Sequence, residues 1–225
     1  TKDVLKKYDP YLTYWKSESD SGQANAINIG FEHATGDIYC WLNSDDRLLP
    51  GALKTVASYM DSRDMSWLVG NSYSISKAGR RLKQRKLSNI DRLTFFQYKE
   101  AWFAQPSVFW TRNMWKEVGG LDESLDYIMD LDVFYKMYLI CPPIIIEEIL
   151  SEYRLHENAK TTHSPNLVDF EYRNWMLNKY DQNDLINIFD NYITLQRFRH
   201  TVNNHPVLSK TIKFWKKYVN SNIKV

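Results

Sequence analysis

The sequence predicts an α/β fold, a sheet flanked by helices and followed by a helical C-terminal extension, and three observations lead to it. The aromatic and β-branched stretch 11–18 precedes a segment of helical period, which precedes the continuous apolar run Ile38-Tyr39-Cys40-Trp41-Leu42. Strand, helix and strand within about 35 residues form a βαβ unit and imply a parallel pair. Beyond Ser164 the apolar residues, among them Phe170, Trp175, Leu185, Ile188 and Ile193, fall at helical spacing. A chain of 225 residues that is 44% hydrophobic is long enough to bury a substantial core.

Each element has a local cause. Residues 11–18 read as a short strand running into the turn Asp20-Ser21-Gly22. Ala24, Ile27, Phe31 and Ala34 mark one face of a helix that starts at Gln23, and Gly36 is expected to end it in the left-handed conformation. The run at 38–42 suits a strand covered on both faces. Pro50 stands at the start of a helix over 51–59, and residues 66–70 read as the next strand. Segment 76–89 holds Lys77, Arg80, Arg81, Lys83, Arg85 and Lys86 with no acidic residue, which predicts an exposed hairpin or loop. Phe109-Trp110 ends a further strand. Residues 112–118 form a helix closed by Gly119-Gly120, 130–139 form another helix, and 144–146 form the last strand.

Composition excludes several classes. With 29 basic and 27 acidic residues the formal net charge is +2, so no global field marks a nucleic-acid binder. The basic segment also lacks the stacking aromatics of a single-strand binder, and no nucleic-acid partner is expected. Cys40 and Cys141 lie in apolar runs without a neighbouring ligand, which predicts buried free thiols and a reducing compartment. No apolar stretch approaches the roughly 18 to 20 residues that cross a bilayer. The expected location is cytoplasmic, or peripheral at the inner face of a membrane. In the tail 208–225, lysines alternate with Phe214, Trp215 and Tyr218. That pattern fits an amphipathic helix lying on an anionic membrane, and equally a solvated terminal helix packed on the core.

The chemistry concentrates at Asn43-Ser44-Asp45-Asp46, expected at the C-terminal end of a buried strand, the edge where open α/β sheets bind ligands. Two adjacent carboxylates repel each other, a divalent cation relieves that cost, and oxygen ligation suits Mg²⁺ or Mn²⁺. The same residue types also make ordinary polar turns.

Context separates the two readings. The ordered blocks 19–30, Ala34-Thr35-Gly36-Asp37, Leu42-Asn43-Ser44-Asp45-Asp46 and Pro50-Gly51-Ala52-Leu53 resemble the donor-side region of family 2 glycosyltransferases with the GT-A fold. Gln105-Pro106-Ser107-Val108-Phe109, Gly119-Gly120-Leu121-Asp122 and Met129-Asp130-Leu131-Asp132 resemble the acceptor side, and Arg154-Leu155-His156 the family's Arg-x-His segment. The resemblance implies a Rossmann-like mixed sheet flanked by helices. It assigns 1–163 to the catalytic domain and 164–225 to a helical extension. It implies an inverting, metal-dependent enzyme that moves a sugar from a nucleotide-sugar donor of UDP-hexose type to a hydroxyl of a saccharide or lipid-linked acceptor.

Residue by residue, the resemblance makes Asp130 the base, with Met129 where the family carries an acidic partner. Asp132 is the alternative at that site, either contacting substrate or stabilised at a helix N-terminus. Asp46, with Asp45 and His156, is expected to hold Mn²⁺ or Mg²⁺, while Asp45 and Asn43 also approach the ribose and sugar. Asp20, Gln23 and Asn28 are expected on the donor, and Trp102 and Gln105 on the acceptor side. The family's first strand and its uracil-reading loop would lie upstream of residue 1. The chain is therefore read as part of a longer protein, with weak or absent donor affinity alone. A competing reading is a non-catalytic carbohydrate- or nucleotide-binding module with a degenerate site. A nucleotidyltransferase would need a Gly-rich phosphate loop that the sequence lacks.

Overall fold

The computed structural model describes residues 2–87, 90, 95, 103–157, 160 and 164–179. Trp102, the helix expected beyond residue 179 and the tail 208–225 lie outside the described residues. The chain divides into two compact units, Thr1–Glu171 and Tyr172–Val225.

A mixed sheet forms the centre of the first unit. Its strands are β1 (Ile38–Tyr39), β2 (Arg47–Leu48), β3 (Trp67–Ile75), β4 (Arg81–Arg85), β5 (Val108–Thr111) and β6 (Ile144–Arg154). They run in the order β1-β5-β3-β6-β2, and β4 pairs with β3. Among the described residues only β3 and β6 pair in parallel, and the other pairs are antiparallel. The helices bounded within the described residues are α1 (Lys2–Tyr8), α2 (Gln23–His33), α3 (Ala52–Tyr59), α4 (Arg112–Val118), α5 (Met129–Ile140) and α6 (Pro165–Lys179).

Strand alternation sorts the core onto two faces. Leu68 and Phe109 turn to the α3 side, where they join Ala52, Val56, Met60, Ile146 and Leu150. Trp67 and Trp110 turn the other way into an aromatic cluster. There Phe134 of α5 lies parallel to Trp41 at 5.8 Å, Trp110 meets Trp41 edge-on at 5.3 Å, and Phe31 of α2 lies 4.3 Å from Trp115 of α4. Each such pair adds about 0.5–1.5 kcal/mol beyond area burial.

Four local expectations are corrected. Residues 11–18 form no strand: Asp9–Tyr11 is a short 3-10 turn, the Trp15 indole donates to Asp9 at 2.6 Å, and Tyr14 stacks on His33 at 3.7 Å. Trp15 is thus held by the 3-10 turn and Tyr14 by the last residue of α2 rather than in a ladder, so the expected βαβ unit does not form and β1 joins β5 antiparallel. The run 38–42 contributes only two ladder residues, because Trp41 enters the aromatic cluster and Leu42 is left exposed. Gly36 does not take a positive φ. Helix α2 ends at His33 with Ala34 extended, and the loop is held by the Tyr39 hydroxyl on the Ala34 carbonyl and by Arg112 on the Thr35 and Gly36 carbonyls. The two free cysteines are half-buried rather than buried.

The expected helices at 51–59, 112–118 and 130–139 and the basic hairpin are present to within a residue or two, and the strands expected at 66–70 and 144–146 are longer than anticipated. Gly119 and Gly120 both take positive φ, and a Cβ on Gly120 would stand 3.1 Å from the Asn28 side-chain oxygen.

Two glycines should respond oppositely to alanine. A Cβ at Gly70 would lie 2.6 Å from Leu150 Cγ and 3.1 Å from the Glu148 carbonyl oxygen, whereas nothing lies within 4 Å of one at Gly30. Gly70→Ala is expected to lower unfolding free energy by about 1–3 kcal/mol through overpacking. Gly30→Ala, on the exposed face of α2, is expected to raise it by up to about 1 kcal/mol. Urea denaturation of both variants checks the pair.

Candidate active site

Five elements converge on a cavity of about 470 Å³. Helix α2 supplies Gln23 at its first residue, and the turn before β2 supplies Asn43, Asp45 and Asp46. The 3-10 turn entering β5 supplies Gln105, and the first turn of α5 supplies Asp130. The end of β6 and the loop after it supply Tyr153, Arg154, His156 and Lys160.

The acidic turn is built by pairing on both sides. Asp46 donates its backbone N–H to the Asn43 carbonyl at 3.1 Å, closing the turn. The chain then enters β2, whose Arg47 and Leu48 pair with Glu152 and Ser151 of β6. That register lays the turn beside the end of β6. The Arg154 backbone N–H donates to Asp46 Oδ1 at 2.8 Å, and the Arg154 guanidinium donates to the Asp45 carbonyl at 2.9 Å. His156, two residues on, meets Asp45 Oδ2 through Nε2 at 2.8 Å. Burial pushes the Asp46 carboxyl above its usual range and the neighbouring Asp45 adds to the rise, while the Arg154 N–H and Asn43 oppose it.

An amide relay spans the cavity floor. Gln23 Nε2 donates to Asn43 Oδ1 at 3.3 Å, Asn43 Nδ2 donates to Gln105 Oε1 at 3.4 Å, and Gln105 Nε2 donates to the Trp41 carbonyl at 2.8 Å. The relay ends on a residue of the aromatic cluster, so core packing sets the position of the floor.

Asp130 opens α5 on the cavity wall. Its Oδ1 accepts the Leu131 backbone N–H at 2.8 Å. Burial pushes its carboxyl up to about 6, backbone N–H groups oppose that rise, and the charge of Glu171 adds to it. Glu171 also organises the approach to α5, which has no side-chain cap of its own. Its carboxylate accepts the backbone N–H groups of Asp126, Tyr127 and Ile128 at 2.6, 2.6 and 3.0 Å.

The cavity therefore brings together Gln23, Asn43, Asp45, Asp46, Gln105, Asp130 and His156 of the residues singled out in the sequence. It does not include Asp20, Asn28 or Asp132. Asp20 accepts the Gly22 N–H at 3.1 Å on the surface before α2. Asn28 exchanges two 3.0 Å hydrogen bonds with the Leu121 backbone and donates to Glu123, bracing the Gly119-Gly120 turn. Asp132 is fully buried and pairs with Lys136 at 2.7 Å. Two functional groups were not singled out by sequence reasoning. Arg154 shares a motif with His156, a signal that could have found it; Glu171 lies in a distant helix with no motif around it.

Known proteins share this architecture. The model of glycosyl transferase family 2 matches residues 1–118, and the chain belongs to that family. An uncharacterized glycosyltransferase of Rickettsia typhi is 23% identical over 175 residues, covering 73% of this chain and 53% of that protein. Another, from Mycobacterium tuberculosis strain H37Rv, is 25% identical over 158 residues, covering 66% and 56%. The chain thus spans about half the length of the curated relatives it matches. Among solved structures, the S. aureus TarS fragment 1–349 in complex with UDP-GlcNAc aligns with a TM-score of 0.54 at 18% identity, over 70% of this chain and 46% of that one. The same fragment in complex with UDP aligns at 0.53 and 16%, over 82% and 64%. The fold is GT-A, a mixed sheet flanked by helices.

Glu152 anchors β2 and with it the acidic turn: it is 2% exposed and pairs with Arg47 and Arg81. Burial alone would raise its carboxyl, and the two guanidinium groups outweigh burial and hold it below the usual 4.5. A depressed folded-state value means stability that is present above pH 4.5 and lost as pH falls through the folded value. Glu152→Gln is expected to lower stability at neutral pH by about 1–2 kcal/mol, discounted because both arginines are half-exposed. Denaturant melts across pH should show the gap to wild type closing in acid; a gap that stays constant contradicts the assignment.

Proposed function

We propose that the cavity transfers a sugar from a nucleotide-sugar donor of UDP-hexose type to a hydroxyl of a saccharide or lipid-linked acceptor, by inverting single displacement. The observation that carries this reading is the placement of Asp130 and the Asp45–His156 pair on the walls of one cavity. Asp130, with its carboxyl raised to about 6, is ionised at neutral pH yet basic enough to accept a proton from the attacking hydroxyl. The Leu131 N–H fixes its Oδ1, and Glu171 holds the segment leading into α5, so the carboxylate is oriented before the acceptor arrives. Gln23, Asn43 and Gln105 present amides that suit sugar and ribose hydroxyls.

A divalent cation suits the opposite wall. Asp45 and His156 offer two donors 2.8 Å apart, with the partly buried Asp46 carboxylate adjacent. Ions such as Mg²⁺ take one or two carboxylates from the protein and the rest of their shell from phosphate and water. Among the described residues no group of three His, Cys, Asp or Glu gathers closely enough to hold a metal ion by itself. Mn²⁺ or Mg²⁺ bound there would neutralise charge on the departing diphosphate. No helix among the described residues is long and apolar enough to cross a membrane, and a cytoplasmic or membrane-peripheral setting is part of this proposal.

The pH dependence tests the base. The rate of UDP release at limiting donor and acceptor should rise with pH through a midpoint near 6, set by ionisation of Asp130. Asp130→Asn should lose that limb and about 10²–10⁴ in rate. Glu171→Gln removes a negative charge that raises the Asp130 value, so its midpoint should move to lower pH. A profile that keeps its limb in Asp130→Asn, or an unmoved midpoint in Glu171→Gln, contradicts the respective role.

A further inference from the structure

The β3–β4 hairpin carries charge that the reaction above does not use. Between Ser76 and Leu87 the chain has six cations and no acidic residue. Arg81 is neutralised by Glu152, and Arg85 donates from Nε to the Tyr153 hydroxyl at 2.7 Å. The other four, Lys77, Arg80, Lys83 and Lys86, are exposed, and among the described residues none has a carboxylate partner.

An edge strand often carries lysine simply to discourage pairing with other chains. Two contacts go beyond that role, because they fix the hairpin to the rim of the cavity. The Arg154 guanidinium, which holds the Asp45 carbonyl, also donates to the Ser76 and Lys77 carbonyls at 3.1 and 2.9 Å. The Arg85 guanidinium lies 5.3 Å from the centre of the Tyr153 ring, and Tyr153 lines the cavity. Register adds direction. Lys83 pairs with Ser74, which pairs with Tyr153, so Lys83 stands in the same cross-strand row as a cavity residue. Lys83 and Arg85, two positions apart on one face of β4, are about 6.6 Å from each other along the strand.

None of the six cations lines the cavity itself. A nucleotide-sugar is compact, so cations spread along the hairpin outside the cavity are placed for a longer ligand. Surfaces normally mix both signs of charge, and a one-sign row steers ligands of the opposite sign. We infer that the acceptor is an anionic polymer, a glycan or polyol chain bearing phosphodiester or carboxylate groups, which lies along β4 and presents a terminal hydroxyl to the cavity at Tyr153. This rests on the reading of the cavity as a sugar-transfer site, and it names the acceptor's chemical class.

Binding distinguishes the inference from that reading, because it does not require turnover. Labelled oligomers of matched length, one of glycerol phosphate, one of galacturonate and one of neutral maltose units, are titrated against the full chain at two salt concentrations. Wild type should bind both anionic oligomers, more weakly at high salt, and ignore the neutral one. Lys77→Ser/Arg80→Ser/Lys83→Ser/Lys86→Ser should lose about tenfold or more in affinity. A charge-preserving Lys77→Arg/Lys83→Arg/Lys86→Arg variant should retain it, which guards against misfolding as the cause. Asp130→Asn should bind like wild type even if it is inactive, so failure of the catalytic reading leaves this result separate. Equal affinity of the serine variant and wild type, or equal binding of the neutral oligomer, overturns the inference. A parallel arm uses phosphatidylcholine vesicles with and without phosphatidylglycerol. If the serine substitutions abolish vesicle binding and leave oligomer binding intact, the hairpin serves a membrane and the inference fails.

Discussion

Arg154 holds together the parts on which the site is built. Its backbone N–H reaches the Asp46 carboxylate, and its guanidinium reaches the carbonyls of Asp45, Ser76 and Lys77. An acidic turn of this composition has several conformations open to it in isolation, and charge repulsion between its carboxylates favours the splayed ones. Hydrogen bonds from charged or oriented donors to such groups contribute about 1.5–3 kcal/mol each, enough to select one geometry. The selected geometry points Asp45 at His156 and leaves the turn continuous with β2. Glu152 secures the other side through Arg47, so the turn is clamped between two ends of the same strand pair.

The opposite wall depends on packing. Phe134 of α5 lies in the aromatic cluster with Trp41 and Trp110 at ring distances of 5.8 and 6.2 Å, which sets the height of α5 against the sheet. Asp130 sits one turn before Phe134 on that helix. Glu171 controls the remaining freedom by binding three successive backbone N–H groups ahead of it. A carboxylate held this way is both oriented and desolvated, and desolvation is the main reason its pKa is raised. Met129, next to Asp130, is buried and carries no charge, and Glu171 supplies a negative charge acting on Asp130.

The local periodicities and punctuation of the sequence were enough to locate α2 through α5 and the basic hairpin. Gly119-Gly120 closes α4 as the sequence suggests, and Gly119 does so in the αL conformation after the last helical turn. Pairing partners were not legible, because a ladder is decided by segments far apart in the chain. Residues 11–18 have strand-like composition but no neighbour to pair with, and β1 takes β5 as its partner instead of a parallel strand before α2. At the site, Asn43, Asp45, Asp46, Asp130 and His156 stand out because they fall within the ordered blocks that carry the family resemblance, and the fold gathers them on one cavity. Asn28 has the same polar character in the sequence, yet its amide is consumed by the Leu121 backbone. Asp132 is equally acidic, yet helical spacing turns it inward onto Lys136. A side chain's direction, not its chemistry, separates these cases, and single-residue patterns do not encode it. Glu171 is the converse: its role comes wholly from tertiary contact.

The central claim is that the two walls divide the work, with Asp45, Asp46 and His156 holding the donor's diphosphate and Asp130 acting on the acceptor. Calorimetric titration of UDP with Mn²⁺ against wild type, Asp45→Asn, His156→Ala and Asp130→Asn, at protein concentrations high enough to register weak binding, tests that division directly. The expected result is that Asp45→Asn and His156→Ala weaken UDP binding while Asp130→Asn binds as wild type does. The division of labour is contradicted if Asp130→Asn loses UDP binding while the other two variants keep it.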